Sequence, residues 1–459
     1  MYLTPLVGVY IADSYLGRYK TILYSAVLYL LGITVLFATS FHAATRAHTG
    51  LPGLITAIIF LGLGTGGFKP NIDPLLLDQY TEKFQRVKTL KTGERVIVDP
   101  QISITNIMYI YFNLALVGCL SGIPTTWLAL KVGFWSAFLL PVCVFLVAIV
   151  LLVTGGGKYV EAQPEPVLGH AFKAVVIAIR HGGKVDAAKP SALRARYGVS
   201  NVPYDDEFVD ELKRGLYACR ILIPQPIAYL CYIQATNNLV SQAATMETHG
   251  LPNDILYNFT LLFGIVNTYV IRAFLLPYLR RKKIPFGPVR RITTGFICGS
   301  LGISYAAVVQ KIVYSAGPCC DAPLACPESQ GGLIPNRVNV MIQLPVYLGL
   351  ATFEVLVQTA SYEYAYTKAP KRLKGVVTAM VILTIAVASA LGIAVARAAY
   401  GPGLITMYAC LGGSFFAATV LFWYFCRNND KLENDFFALD ITVDAARAEK
   451  EKGASPGLE

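Results

Sequence analysis

The chain has 459 residues, of which 55% are hydrophobic and only 15% charged, and its mean hydropathy is +0.52. A water-soluble surface on a chain of this size calls for about a quarter charged residues, so a soluble globular protein is excluded and an all-α integral membrane protein is expected. The net charge of +11 requires no nucleic acid, because the basic residues gather in alternate short loops, as they do when Lys and Arg are held on the cytoplasmic side.

In chain order, residues 1–12 are apolar but short, and begin at Met1 without a polar flank. They read as the last part of a helix that starts before the chain does; a signal peptide would need a basic start and a small-residue cleavage site. Stretches long enough to cross a bilayer follow near 21–41, 54–76, 104–129, 133–154, 220–245, 255–279, 292–314, 340–366, 376–399 and 403–426. Arg18 and Lys20, the run from Lys83 to Arg95, residues 280–283 with Arg290 and Arg291, and the run from Lys368 to Lys374 fall in alternate loops. The loops between them, 42–52, 246–254 and 315–336, hold almost no basic residues, which sets the carboxyl-terminal tail in the cytoplasm.

The longest polar stretch, basic and with a surface helix expected around Gly169 to Arg180, divides five spans from six. The organisation expected is a helix bundle at 1–155, a cytoplasmic linker at 156–219, a second bundle at 220–426 and a cytoplasmic tail at 427–459. One more helix in front would make six plus six, the pattern of transporters whose halves rock around a central site.

Within the third stretch, Gly62, Gly64 and Gly67 have the G-x-G-x-x-G spacing. A dinucleotide loop would need a strand before the glycines and a soluble helix after them, and a phosphate loop would need a lysine where Phe68 stands. Small residues that let membrane helices approach closely are the better reading. Lys69 is different, since a cation near mid-bilayer costs roughly 2.5 to 3.5 kcal/mol and normally faces a partner or a watery cavity. Glu354 is the matching anomaly, centred in the span 340–366, whereas Asp13, Asp73, Asp78 and Glu363 sit towards the cytoplasmic ends of theirs.

Four blocks carry a family resemblance: "TPLVGVYIADSYLGRYKTI" at 4–22, "GTGGFKPNIDPLLLDQY" at 64–80, "CYIQATNNLVSQAATMETHGLPND" at 231–254 and "FEVLVQTASYEYAYTKAPKRLKG" at 353–375. In order and spacing they resemble the proton-coupled oligopeptide transporters of the major facilitator superfamily, the fungal branch above all. The resemblance implies the twelve-helix fold of two bundles, with about 11 of the usual 12 transmembrane helices in this chain, equivalents of helices two to twelve. It implies a monomeric, multi-pass plasma-membrane symporter that takes up di- and tripeptides, with protons and the lipid bilayer as its other partners and the proton gradient, rather than a cofactor or metal, as its energy source. Lys69 matches a cavity lysine that helps to hold the peptide carboxylate, and Glu354 a cavity glutamate that binds the amino terminus. Gln234, Asn237 and Asn238 match the seventh-helix block, where they either line the pathway or bond to adjacent helices. Asp13, Gly17 and Arg18 match the superfamily's cytoplasmic loop motif, a gating element that pins helix ends. Lys374 reads as a solvated loop charge.

The departures are Leu116 in place of a cavity asparagine, Asp73 in place of a small residue, Arg272 where fungal relatives tend to carry an acid, and the E-x-x-E-R-F block of the family's first helix, which lies outside the chain. Besides the peptide importer, a carrier of another small zwitterionic or anionic solute and a non-transporting relic or nutrient sensor stay open. A membrane enzyme is not expected, as the chain has no H-E-x-x-H or G-x-S-x-G sequence. Cysteines 119, 143, 219, 231, 298, 410 and 426 lie in or beside spans as small apolar residues. Cys319, Cys320 and Cys326 share an outward loop and allow one disulfide, with a thiol left over. Histidines 42, 48, 170, 181 and 249 sit in loops or at span ends, so no histidine relay is expected, and the Asn258-Phe259-Thr260 sequon lies at a span start, too close to the bilayer for glycosylation.

Overall fold

The computed structural model describes residues 4–41, 44, 50–80, 86–89, 93, 95–98, 100–160, 167–197, 202–284, 286–324, 326–368, 374–396, 399 and 403–427. Among these, eight helices are long and apolar enough to cross a bilayer, nine if the bent pair 206–222 and 225–244 counts as one span; a shorter apolar helix covers Met380–Val395. These spans coincide with the expected ones to within a few residues, except that the seventh-helix equivalent is broken.

The first group of helices comprises α1 (Thr4–Ile11), α2 (Arg18–Thr39), α3 (Gly50–Asp78), α4 (Pro100–Cys119), α5 (Gly122–Lys131) and α6 (Phe134–Thr154). A π-helical turn at Ala12–Leu16 and then Gly17 at φ 77° separate α1 from α2. That backbone angle lies in the left-handed region, which glycine enters without steric cost. The glycines of α3 turn out to be a packing surface on a helix, with no strand before them. A methyl group on Gly8 would collide with the carbonyl of Gly66, one on Gly67 with Oγ of Ser25, and one on Gly64 would lie 2.7 Å from the backbone nitrogen of Tyr29. Such close approach also brings polar groups within bonding range: Thr4 Oγ1 donates to the Gly62 carbonyl at 2.7 Å, and Asn71 Nδ2 to that of Gly8 at 3.5 Å.

The second group comprises α10 (Gln225–Ile233), α11 (Asn238–Ala244), α12 (Tyr257–Val270), α13 (Leu276–Arg281), α14 (Pro288–Ser315), α15 (Leu344–Lys368), α16 (Lys374–Val395) and α17 (Gly403–Cys426). Its core centres on Phe296, Phe353 and Phe415, from α14, α15 and α17, with ring centroids 5.4 to 6.1 Å apart. Between the groups, α7 (Val167–Arg180), α8 (Pro190–Tyr197) and α9 (Asp206–Ala218) form a small unit with its own core of Ala171, Ala174, Ala188, Phe208, Val209 and Leu212. α7 packs on α1 and on α16, so this unit touches helices of both groups.

Two features of the loops were not expected. The basic loop after α3 contains an antiparallel hairpin, β1 (Arg86–Thr89) against β2 (Arg95–Val98), with Gly93 at φ 85° between them. On the other side, β3 (Met246–Glu247) pairs in parallel with β4 (Asn336–Asn339), beside a disulfide between Cys319 and Cys326 that leaves Cys320 as an exposed thiol. Asn258 of the sequon is buried at the start of α12, against Gly122 of α5.

Candidate functional site

α3 presents two different edges. Gly62, Gly64, Gly66 and Gly67 are buried against α1 and α2, while Lys69 is exposed on another side of the helix. Asp73 follows Lys69 by four residues, one helical turn, so the two side chains are neighbours on one face. They interact electrostatically, and the hydroxyl of Tyr111 on α4 faces the Asp73 carboxylate. Oδ1 of Asp73 is buried and has no hydrogen-bond partner among the described residues. Asp73 therefore lies one turn beyond Lys69, towards the cytoplasmic end of the span, and is its neighbour there.

Across from α3, Glu354 on α15 lies within electrostatic reach of Lys69. The hydroxyl of Tyr232 on α10 faces the Glu354 carboxylate, and lies 3.5 Å from that of Tyr257 on α12. Oε2 of Glu354 is buried without a hydrogen-bond partner among the described residues. The two helix groups thus bring together one cation and two carboxylates: Lys69 with Asp73 on one side, Glu354 on the other. Tyr111 and Tyr232 escaped the sequence reading, since a tyrosine in an apolar span carries no anomaly of its own. The signal available for Asp73 was its four-residue spacing from Lys69.

The seventh-helix block sits in the break between α10 and α11, where Asn237 leaves helical geometry at φ −111° and ψ −95°. Gln234 is buried; its amide donates to the Leu230 carbonyl at 3.0 Å and its oxygen accepts from Asn238 Nδ2 at 2.6 Å. Asn237 is exposed. Broken helices of this kind are tolerated at membrane depth where they are buried in protein or line a cavity. At the other end of the first group, Arg18 forms an ion pair with Asp78, tying the start of α2 to the end of α3, and Asp13 lies within electrostatic range of both. These residues do not join the Lys69–Glu354 group.

Leu116 is buried at the seam between the groups; a methyl group on Gly264 of α12 would lie 3.2 Å from its Cδ1. Arg272 is exposed, and Lys374 opens α16, its side chain lying outside the described residues. A cavity of about 260 Å³ between α2, α3 and α6 is lined by apolar side chains such as Ile22, Phe68 and Phe145 together with Gln79 and Tyr159, and offers no charge to a zwitterion. Among the described residues no group of three or more His, Cys, Asp or Glu side chains is placed to hold a metal.

A family model described as "PTR2: POT family" matches residues 19–404. The chain is 39% identical over 444 residues to the peptide transporter PTR_C of Candidozyma auris, covering 96% of this chain and 76% of that one. It is 36% identical over 440 residues to the peptide transporter PTR2 of Saccharomyces cerevisiae, covering 96% and 71%. In three dimensions it matches the POT family transporter PepTSo with a TM-score of 0.68 at 18% identity, over 94% of this chain and 87% of that one.

Proposed function

The chain belongs to the POT family, and from that membership and the opposed charges at its centre we propose that it imports di- and tripeptides across the plasma membrane by alternating access, driven by the proton gradient. The observation that carries this reading is the placement of Lys69 and Glu354 on helices of different groups, within electrostatic reach of one another. A free peptide is a zwitterion, and two opposite poles held by opposite halves fit its carboxylate and its ammonium. An extended peptide spans about 3.3 to 3.6 Å per residue, so poles at a set separation select length and leave the side chains free. Gln234, Asn237 and Asn238, at the break between α10 and α11, serve in this reading to shape the cavity wall, and the pair of Arg18 with Asp78, near Asp13 and Gly17, holds the cytoplasmic helix ends in one arrangement. In this reading the tail after α17 lies in the cytoplasm, which the basic loops support, and one chain suffices for the transport unit. The test is uptake of labelled dipeptide by cells without other peptide carriers. Accumulation is expected, with collapse of the pH gradient abolishing it; uptake indifferent to a protonophore would remove the proton-coupled reading.

A further inference from the structure

Transport of a solute between the two helix groups makes no use of α7, and the faces of that helix are arranged against the usual rule. The face turned to the core of the linker unit carries Ala171, Ala174 and Ala178, all buried, and beside them His170, whose ring lies 6.2 Å from that of Phe208 on α9. The opposite face carries the larger apolar side chains: Phe172 is 71% and Ile179 69% exposed, with the half-buried Val176 between them. Positions 172, 176 and 179 have the i, i+4, i+7 spacing of a single stripe along a helix. Methyl groups inside, with a phenyl and a branched butyl group outside, are the reverse of what water selects, so the stripe belongs against another apolar surface.

Position and charge identify that surface. Gly169 shares the side of the helix that carries Val176, seven residues on, and it lies against α1: a methyl group on Gly169 would be 3.3 Å from Cε2 of Tyr10. α7 also packs on the π-helical turn at Ala12–Leu16 and on α16, while the core it shares with α9 is on its other side. The stripe is therefore turned towards the ends of the membrane helices, at the level where Arg18 and Lys20 mark the cytoplasmic boundary. From Pro166 to Val185 the sequence has no acidic residue, whereas Lys173, Arg180 and Lys184 are all exposed. Lys173 and Arg180 each follow directly on a residue of the stripe and, seven apart, share one edge of it.

We propose that α7 docks its Phe172–Ile179 stripe into the cytoplasmic leaflet of the bilayer, with Lys173, Arg180 and Lys184 binding the headgroups of acidic phospholipids. A helix lying in the interface draws its affinity from apolar area sunk at the acyl boundary and from attraction to anionic lipid, and α7 supplies both. Each basic residue near an acidic leaflet contributes about fivefold to such an equilibrium. Because α7 touches α1 and α16, docking holds the linker unit at one depth against helices of both groups. No residue of α7 belongs to the Lys69–Glu354 site, so the docking stands whichever solute is carried.

The test uses the full chain in nanodiscs of phosphatidylcholine alone and of phosphatidylcholine mixed with phosphatidylserine. Amide hydrogen exchange is followed over residues 167–184, with residues 206–218 as the internal reference. Exchange over 167–184 is expected to be slower with phosphatidylserine and to quicken again in high salt, which screens exposed charges. Lys173→Gln combined with Arg180→Gln is expected to lose about fivefold of that protection for each charge removed. Phe172→Ser combined with Ile179→Ser is expected to lose protection in both lipids, while residues 206–218 exchange as in wild type. Equal exchange of wild type in the two lipids overturns the proposal and leaves the stripe to a protein partner; wild-type protection in either double variant overturns it as well. Should a double variant fail to fold, Phe172→Trp decides: acyl-brominated phosphatidylcholine is expected to quench its fluorescence beyond the quenching seen in wild type, and no added quenching removes the stripe from the leaflet.

Discussion

Two opposite charges held by different helix groups distinguish a zwitterion from its blocked derivatives, and this gives the most direct test at the scale of single residues. Glu354→Gln removes a charge at nearly constant volume, so the fold is expected to survive while the affinity for free dipeptides falls. A lost charge-assisted hydrogen bond is worth about 1.5 to 3 kcal/mol, roughly tenfold to more than a hundredfold in affinity. An amino-acetylated dipeptide already lacks the ammonium, so it binds wild type poorly and loses little more in the variant. Lys69→Gln gives the mirror result, penalising free peptides but not carboxyl-amidated ones. Competition assays with the four combinations of peptide and variant check this, and equal losses across all four would mean that the pair serves structure alone. Lys69 and Glu354 were legible in the sequence because a charge in the middle of an apolar run has a cost that demands a reason. Asp73 was harder to read. It lies nearer the end of its run, where a carboxylate can be hydrated, and only the turn of the helix and the approach of Tyr111 reveal it as a neighbour of Lys69.

At the scale of elements, the linker unit is held by contacts of a different kind from those of the spans. Its helices are amphipathic, close over a core of their own, and are tied by surface ion pairs such as Lys189 to Asp210 at 2.7 Å and Lys213 to Asp186 at 2.7 Å. The hydrogen bond and charge of Lys213 hold the Asp186 carboxyl below its usual range, and the backbone N–H of Ser191 does the same for Asp206. A carboxyl depressed in the folded state contributes stability that is complete above its unfolded value, about 3.9, and is lost as pH falls through the folded value. The ordering of residues 185–213 is therefore expected to be constant at neutral pH and to weaken below about pH 4, modestly, because these pairs are exposed to solvent. Amide hydrogen exchange corrected for intrinsic rates checks this, and protection unchanged on acidification would refute it. The helix at Val167–Arg180 was visible in the sequence as an apolar stripe on a polar segment. The hairpin of β1 and β2 was not legible, because its strands, Arg-Val-Lys-Thr and Arg-Val-Ile-Val, are only four residues each and lie in a loop whose basic charge has its own explanation. The break between α10 and α11 was hidden for another reason: polar residues such as Gln234 and Asn238 are compatible with a continuous helix, and only backbone geometry at Asn237 shows where the helix is interrupted.

At the scale of the molecule, the two helix groups meet along a seam where α4 and α5 run beside α12. Phe112 packs against the cluster of Ile271, Val355 and Leu356, Leu116 against Gly264, and Gly122 against Asn258, so the contact extends along much of the length of both spans. Alternating access requires such a seam to loosen on one side while it tightens on the other. Gly264 sits midway along it, and the absence of a side chain there is what lets Leu116 approach. Sequence comparison marked Leu116 only as the loss of a polar cavity residue; the packing gives it a positive role, as the knob that meets this glycine. Gly264→Val would place branched carbon where Leu116 now lies, and overpacking of this kind costs about 1 to 3 kcal/mol. The variant is expected to bind dipeptide nearly as wild type does, because Lys69 and Glu354 are untouched, but to transport it more slowly, because the tight state of the seam is penalised relative to the open one. Adding Leu116→Ala returns the space that valine takes, so the double variant should regain rate, the non-additivity expected of residues in contact. Initial uptake rates set against peptide-induced thermal shifts separate binding from turnover. Rates unchanged in the single variant, or no recovery in the double one, would show that this seam does not tighten during the cycle.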